Sequence, residues 1–189
     1  MIARRASARP GAGHGPDTVV PRSARRPILD DRPRQAVQLY PGQLFASASP
    51  SVVTTILGSC VAVCLWDATR GIGGINHFML PDPVGTAKHS PRFGVVACAR
   101  LIEELLALGS DRRTLEAKVF GGACVIPSLS TSGVHLGLKN VAVARAVLEQ
   151  HHIPVVAEET GGTHGRKLVF LTDTGTAWVH EIVRGGDGA

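Results

Sequence analysis

Cysteine and histidine are the side chains of this 189-residue sequence whose reactivity most needs a reason. A thiol becomes an effective nucleophile when a neighbouring imidazole takes its proton, and small flanking residues leave room for a substrate and for exposed backbone N–H donors. Of the four cysteines (Cys60, Cys64, Cys98 and Cys124), Cys60 has that setting, because it follows Leu57-Gly58-Ser59, a sharp break after a β-branched run. Unpaired cysteine otherwise packs as a small apolar residue. That reading suits Cys98, on the apolar stripe of a helix, and Cys124, beside the Gly121-Gly122 turn.

The partner for Cys60 emerges from the elements around it. Ser51–Leu57 reads as a buried strand, and Cys60–Trp66 and Ile72–Leu80 as two more around the polar stretch DATRG. A four-residue loop Asp67–Arg70, with Trp66 opposite Gly71, sets Cys60 opposite His77. Directly opposite residues share a face with Cβ atoms roughly 4.5–5.5 Å apart, within reach of a thiol–imidazole contact. A loop one residue longer, or a bulge at Gly71, Gly73 or Gly74, would send the two side chains to opposite faces. The other histidines lack a cysteine or carboxylate at a readable spacing. Cys60, Cys64 and His77 together make a conceivable zinc set, although zinc motifs usually supply two tight cysteine pairs and the second is missing here.

Further along, Pro81–Pro91 reads as a loop. Gly94–Leu108 is a helix with its apolar stripe at 95, 98, 101, 102, 105 and 106, and Ala117–Phe120 is a short strand. Asn140 stands where an N-cap belongs, before the helical run VAVARAVLEQ. Val155–Ala157, Lys167–Leu171 and Thr176–Val183 close the chain as strands, the last two joined by a turn at Thr172–Gly175. This order predicts a single α+β domain, a mixed β-sheet or β-sandwich core flanked by about two main helices.

The charge is unevenly placed. The sequence holds 20 Lys+Arg against 15 Asp+Glu, but residues 1–35 alone carry eight arginines and three aspartates. Residues 36–189 are therefore neutral, with twelve bases and twelve acids. With five prolines and no apolar periodicity, residues 1–35 read as a disordered extension, and residues 36–189 as the domain. A basic tail on a neutral body gives no footprint for nucleic acid in the body itself. No window approaches eighteen consecutive apolar residues, so no transmembrane segment is expected. Sparse, irregularly spaced cysteines without a signal-peptide core favour a reducing, cytoplasmic setting.

The runs TTILGSCVAVCLWD, GGINHFMLPDP, AKVFGGACV, GLKN and EETGGTHGRKLVF resemble, in that order, the CheD family of chemoreceptor glutamine deamidases. The resemblance covers about residues 37–183. It implies a protein-glutamine glutaminase that hydrolyses selected receptor glutamines to glutamate and releases ammonia, with no cofactor and no metal. It assigns the nucleophile to the GSC cysteine, Cys60, and the base to the histidine of NHFMLP, His77. The third catalytic residue falls six positions before the cysteine, on Thr54, with Thr55 adjacent. The implied partners are the cytoplasmic helices of methyl-accepting chemotaxis receptors and a CheC-type phosphatase. GLKN departs from the family in having Lys139 where arginine is more usual. A non-catalytic regulatory module binding the phosphatase or a receptor is the alternative function, with the zinc-binding domain behind it.

Overall fold

The computed structural model describes residues 32–83, 89–125 and 135–182. Among these residues the strands and helices run β1 (Gln35–Gln38), β2 (Gln43–Ser47), β3 (Ser51–Leu57), β4 (Val61–Asp67), β5 (Ile72–His77), α1 (Gly94–Ala107), β6 (Leu115–Gly121), α2 (Leu136–Gln150), β7 (Val155–Thr160), β8 (Gly165–Leu171) and β9 (Ala177–Ile182). The strands form a four-stranded sheet in the order β1-β3-β8-β9 and a five-stranded sheet in the order β2-β5-β4-β6-β7.

Burial explains the layering. In β3, Val53, Thr55 and Leu57 are buried while Ile56 is exposed, the period-two pattern of a sheet with one covered face. β4 and β5 are buried almost throughout, because the five-stranded sheet is covered on both sides. One apolar cluster lies between the sheets and joins Val53, Leu57, Leu168 and Phe170 to Ala62, Cys64, Ile75 and Phe120. The other joins Val61, Val63, Leu65 and Phe78 to Leu101, Leu105, Val141 and Leu148 of the two helices. The α+β expectation therefore resolves into three layers: sheet, sheet, helices.

Three details differ from the sequence reading. The short strands β1 and β2 carry no strong alternation and pair as edges, β1 parallel to β3 and β2 antiparallel to β5. α2 begins at Leu136 with His135 as its N-cap, so Asn140 is an interior helical residue, fully buried. The β4–β5 hairpin is shifted by two, with Trp66 opposite Gly73 and Asp67 opposite Ile72. Asp67 causes the shift: its carboxylate accepts from the Thr69 N–H at 3.0 Å and the Thr69 hydroxyl at 2.6 Å, an Asx turn that keeps Asp67 in the strand. Gly71, at φ +64°, completes the turn.

Residues 32–34 of the expected extension are among the described residues. Arg34 packs into the domain with a forked contact to Asp173, Nε to Oδ1 at 2.9 Å and Nη2 to Oδ2 at 2.7 Å. The rest of the expected extension, residues 1–31, lies outside the described residues, as do residues 84–88 of the expected loop.

Candidate functional site

Cys60 immediately precedes β4, and His77 ends β5. The two-residue register shift means that Cys60 is not directly opposite His77: Val61 bridges to Phe78, with N···O distances of 3.1 and 3.0 Å, and His77 sits diagonally from Cys60. An even shift preserves facing. Val61 and Phe78 enter the cluster under the helices, whereas Cys60 packs on the cluster between the sheets, alongside Ala62 and Ile75. Cys60 and His77 therefore share the inter-sheet face.

The opposite sheet supplies the third group. Thr55 Oγ1 lies 2.8 Å from His77 Nδ1 and 2.8 Å from the Leu39 carbonyl oxygen. Thr54, the residue assigned by resemblance, alternates to the outer face of β3 beside the exposed Ile56 and does not meet the imidazole. On β3 the position facing the other sheet belongs to Thr55. A carbonyl can only accept, so the single Thr55 hydroxyl proton goes to Leu39, and Thr55 Oγ1 accepts from His77 Nδ1–H. His77 is thereby assigned the Nδ1–H tautomer, leaving a lone pair on Nε2. Nε2 is buried and has no hydrogen-bond partner among the described residues.

The turn carrying Cys60 is held by its carbonyls. Gly58 O accepts from the Ala123 N–H and Cys60 O from the Gly122 N–H, both at 2.8 Å. Ser59 O accepts from Asn140 Nδ2 at 3.0 Å, and the same amide donates to Met79 O at 2.9 Å. Gly121, at φ +107°, abuts the Cys60 carbonyl so closely that a Cβ there would overlap it. The buried Arg166 supports this turn in its own way, donating to Gly121 O at 2.9 Å, Glu159 O at 2.7 Å and Gly161 O at 2.7 Å. Sequence reasoning left Thr55 beside Thr54, took Asn140 for a cap and did not single out Arg166. An arginine in the glycine-rich run GGTHGRK, next to a buried strand, was the available signal.

Burial sets the protonation of the site. It pushes the Cys60 thiol up, an effect partly offset by the residue's own backbone N–H, which favours the thiolate. Burial also lowers His77 to about 4. The resting pair is therefore neutral thiol and neutral imidazole. Such an arrangement suits proton transfer during attack rather than a standing thiolate–imidazolium pair.

The remaining candidates separate from this group. Cys64 is fully buried, faces the inter-sheet core and pairs across strands with Lys118; burial pushes its thiol far up. Cys98 is buried beneath α1, 3.5 Å from Asn76 Nδ2, and is pushed up to about 12 by burial. Among the described residues, no group of three His, Cys, Asp or Glu side chains is arranged to hold a metal ion. Cys124 is half-buried and helps line a largely apolar cavity of about 170 Å³ with Ser59, His135 and Leu136. No helix among the described residues is long and apolar enough to cross a membrane.

The family described as CheD chemotactic sensory transduction matches residues 79–181. The chain is 42% identical over 170 residues to the probable chemoreceptor glutamine deamidase CheD 1 of Anaeromyxobacter dehalogenans, covering 90% of this chain and 97% of that one. It is 44% identical over 146 residues to the probable chemoreceptor glutamine deamidase CheD of Trichlorobacter lovleyi, covering 77% and 90%. A similarly named Cupriavidus pinatubonensis protein is 41% identical over 159 residues, covering 82% and 72%.

Proposed function

We propose that this chain, which belongs to the CheD family, hydrolyses glutamine side-chain amides on chemoreceptors to glutamate, with Cys60 as nucleophile. The observation that carries this reading is the 2.8 Å contact between Thr55 Oγ1 and His77 Nδ1, from which the tautomer follows. Thr55 holds Nδ1 protonated, so Nε2 presents a lone pair on the face shared with Cys60. His77 Nε2 takes the thiol proton as the sulfur attacks the amide carbon. The carbonyl π pair moves to oxygen, and backbone N–H groups near Cys60 stabilise the resulting oxyanion. The intermediate collapses, the C–N bond breaks, and the leaving nitrogen takes the proton from His77 and departs as ammonia. Water then attacks the thioester, its proton passing to His77, and collapse releases glutamate and regenerates the thiol. Thr55 holds the imidazole in one orientation throughout, the role a carboxylate or amide fills in other triads.

The small apolar cavity beside Ser59 suits the methylene portion of a glutamine side chain. Receptor glutamines on cytoplasmic helices place the reaction in the cytoplasm. Association with a CheC-type phosphatase is part of the same reading, and co-elution of the two purified proteins tests it. The function is tested by incubating the full chain with a receptor cytoplasmic fragment. Replacing NH₂ by OH adds about one dalton at each modified glutamine. Cys60→Ala and His77→Ala should abolish the gain and Cys64→Ala should not; full activity in Cys60→Ala would defeat the mechanism.

A further inference from the structure

We propose that Asn140 is a positioning residue that turns the Ser59–Cys60 peptide so that the Cys60 N–H serves as an oxyanion donor, an assignment that rests on the deamidase reading. Both groups facing its side-chain nitrogen are carbonyls, Ser59 O at 3.0 Å and Met79 O at 2.9 Å. A carbonyl cannot donate, so the amide orientation is fixed: Nδ2 faces the two oxygens and Oδ1 faces away. A planar trans peptide points its C=O and N–H in opposite directions. With Ser59 O drawn toward α2, the N–H of Cys60 points away from that helix.

The neighbouring hydrogen bonds show why this peptide needs a side chain. Gly58 O and Cys60 O are held by main-chain N–H groups of Ala123 and Gly122. The Val61 N–H is committed to Phe78 O. Among the described residues, the Cys60 N–H has no such commitment, and it lies close enough to favour its own thiolate. It is therefore an uncommitted donor at the nucleophile itself, and Asn140 is what orients it. The second bond, to Met79 O, anchors the same amide two residues beyond His77, so one side chain ties the nucleophile's turn to the strand carrying the base.

Asn140 Oδ1 supplies an independent indication. It is buried with no hydrogen-bond partner among the described residues, an arrangement that costs stability and that native proteins seldom keep. A residue chosen for packing would not leave an orphan acceptor. Two correctly held carbonyls on the far side explain its retention.

The test uses the full chain and a receptor cytoplasmic fragment, with Asn140→Asp and Asn140→Ala compared with wild type. Asn140→Asp is isosteric but replaces the donor with an acceptor facing two carbonyls. We expect kcat to fall about 100-fold, the effect of losing an oxyanion donor, with KM within about threefold. Alkylation of Cys60 by iodoacetamide should stay within about threefold, because that displacement expels iodide and develops no carbonyl oxyanion. Unchanged kcat, or alkylation falling in parallel with kcat, would overturn the assignment. A measurement on wild type keeps it testable where the variants do not fold. When a peptide bearing the aldehyde isostere of glutamine forms a hemithioacetal with Cys60, the Cys60 amide proton should move downfield; an unmoved proton in the formed adduct overturns the assignment. Wild type that leaves glutamine unmodified sinks the deamidase reading itself. Activity lost in Cys60→Ala but intact in both folded Asn140 variants sinks the positioning role alone.

Discussion

Thr55 reaches across the gap between the two sheets to His77, Oγ1 to Nδ1 at 2.8 Å, while donating its only hydroxyl proton to Leu39 O. Thr55→Val keeps the shape and removes the acceptor, leaving Nδ1–H unpaired and the ring free to turn. We expect kcat for receptor deamidation to fall by about 10–100-fold with KM little changed. Thr55→Ser should recover most of the loss. Thr54→Val, on the outer face of β3, should stay within about twofold of wild type. Initial rates for the three variants decide the matter, and a large loss in Thr54→Val with Thr55→Val intact would reverse the assignment.

The acid limb of kcat/KM reports the protonation of the free enzyme's base. Burial lowers His77 to about 4, so the activity should hold through pH 6 and fall with a midpoint near 4 instead of near the ordinary 6.5. Stability carries the same signature. Between the folded and unfolded values the unfolded chain binds the extra proton, so stability rises with pH across that window and is fully present above 6.5. The contribution is roughly 3 kcal/mol, lost as pH falls through 4. Denaturant unfolding of wild type and His77→Gln at several pH values should show the difference between them changing with pH only within that window.

The chemistry was legible in the sequence further than its geometry was. Facing between Cys60 and His77 follows from an odd sum of residue numbers across the hairpin, and a register error of two left that intact. The error arose at Asp67, whose side chain makes a turn within the strand end, a local hydrogen bond that hydrophobic pattern does not register. Thr54 and Thr55 were inseparable by parity because Gly58 interrupts the strand before Cys60; across the sheets it is Thr55 that meets His77. Asn140 resembled a cap because it precedes an apolar run. Four earlier residues continue that helix, with Gly137 packed tightly against Gly122.

The four thiols should react in an order set by burial. Cys64 and Cys98 are enclosed and their thiols pushed far up, so neither presents a thiolate at neutral pH. Cys60 and Cys124 are half-buried. Iodoacetamide at pH 8 followed by peptide mapping should label Cys60 and Cys124 in the native protein, and all four only after denaturation. Loss of deamidation should track Cys60 labelling. Early labelling of Cys64 would contradict its place between the sheets and return the Cys60–Cys64–His77 zinc set to consideration.

Arg34 and Asp173 test where the domain begins. Their side chains are 5% and 7% exposed, and the guanidinium contacts both carboxylate oxygens. Burial alone would raise the Asp173 carboxyl, but the Arg34 hydrogen bonds, the residue's own backbone N–H and the charges of Arg34 and Arg32 together outweigh it and hold the group below its ordinary value. Removing Arg34 leaves the buried Asp173 carboxylate only a 3.4 Å contact with the exposed Arg32, at a cost of about 3–5 kcal/mol. Arg34→Ala should therefore lower Tm by about 6–20 °C. The Arg34→Ala, Asp173→Asn double variant should be less damaged than Arg34→Ala, because no poorly paired buried carboxylate is left behind. The depressed carboxyl places this contribution above the unfolded aspartate value, and it is lost as pH falls through the folded one. Thermal melts at pH 7 and pH 3 check both points. An unchanged Tm in Arg34→Ala at pH 7 would support residue 35 as the boundary of the domain.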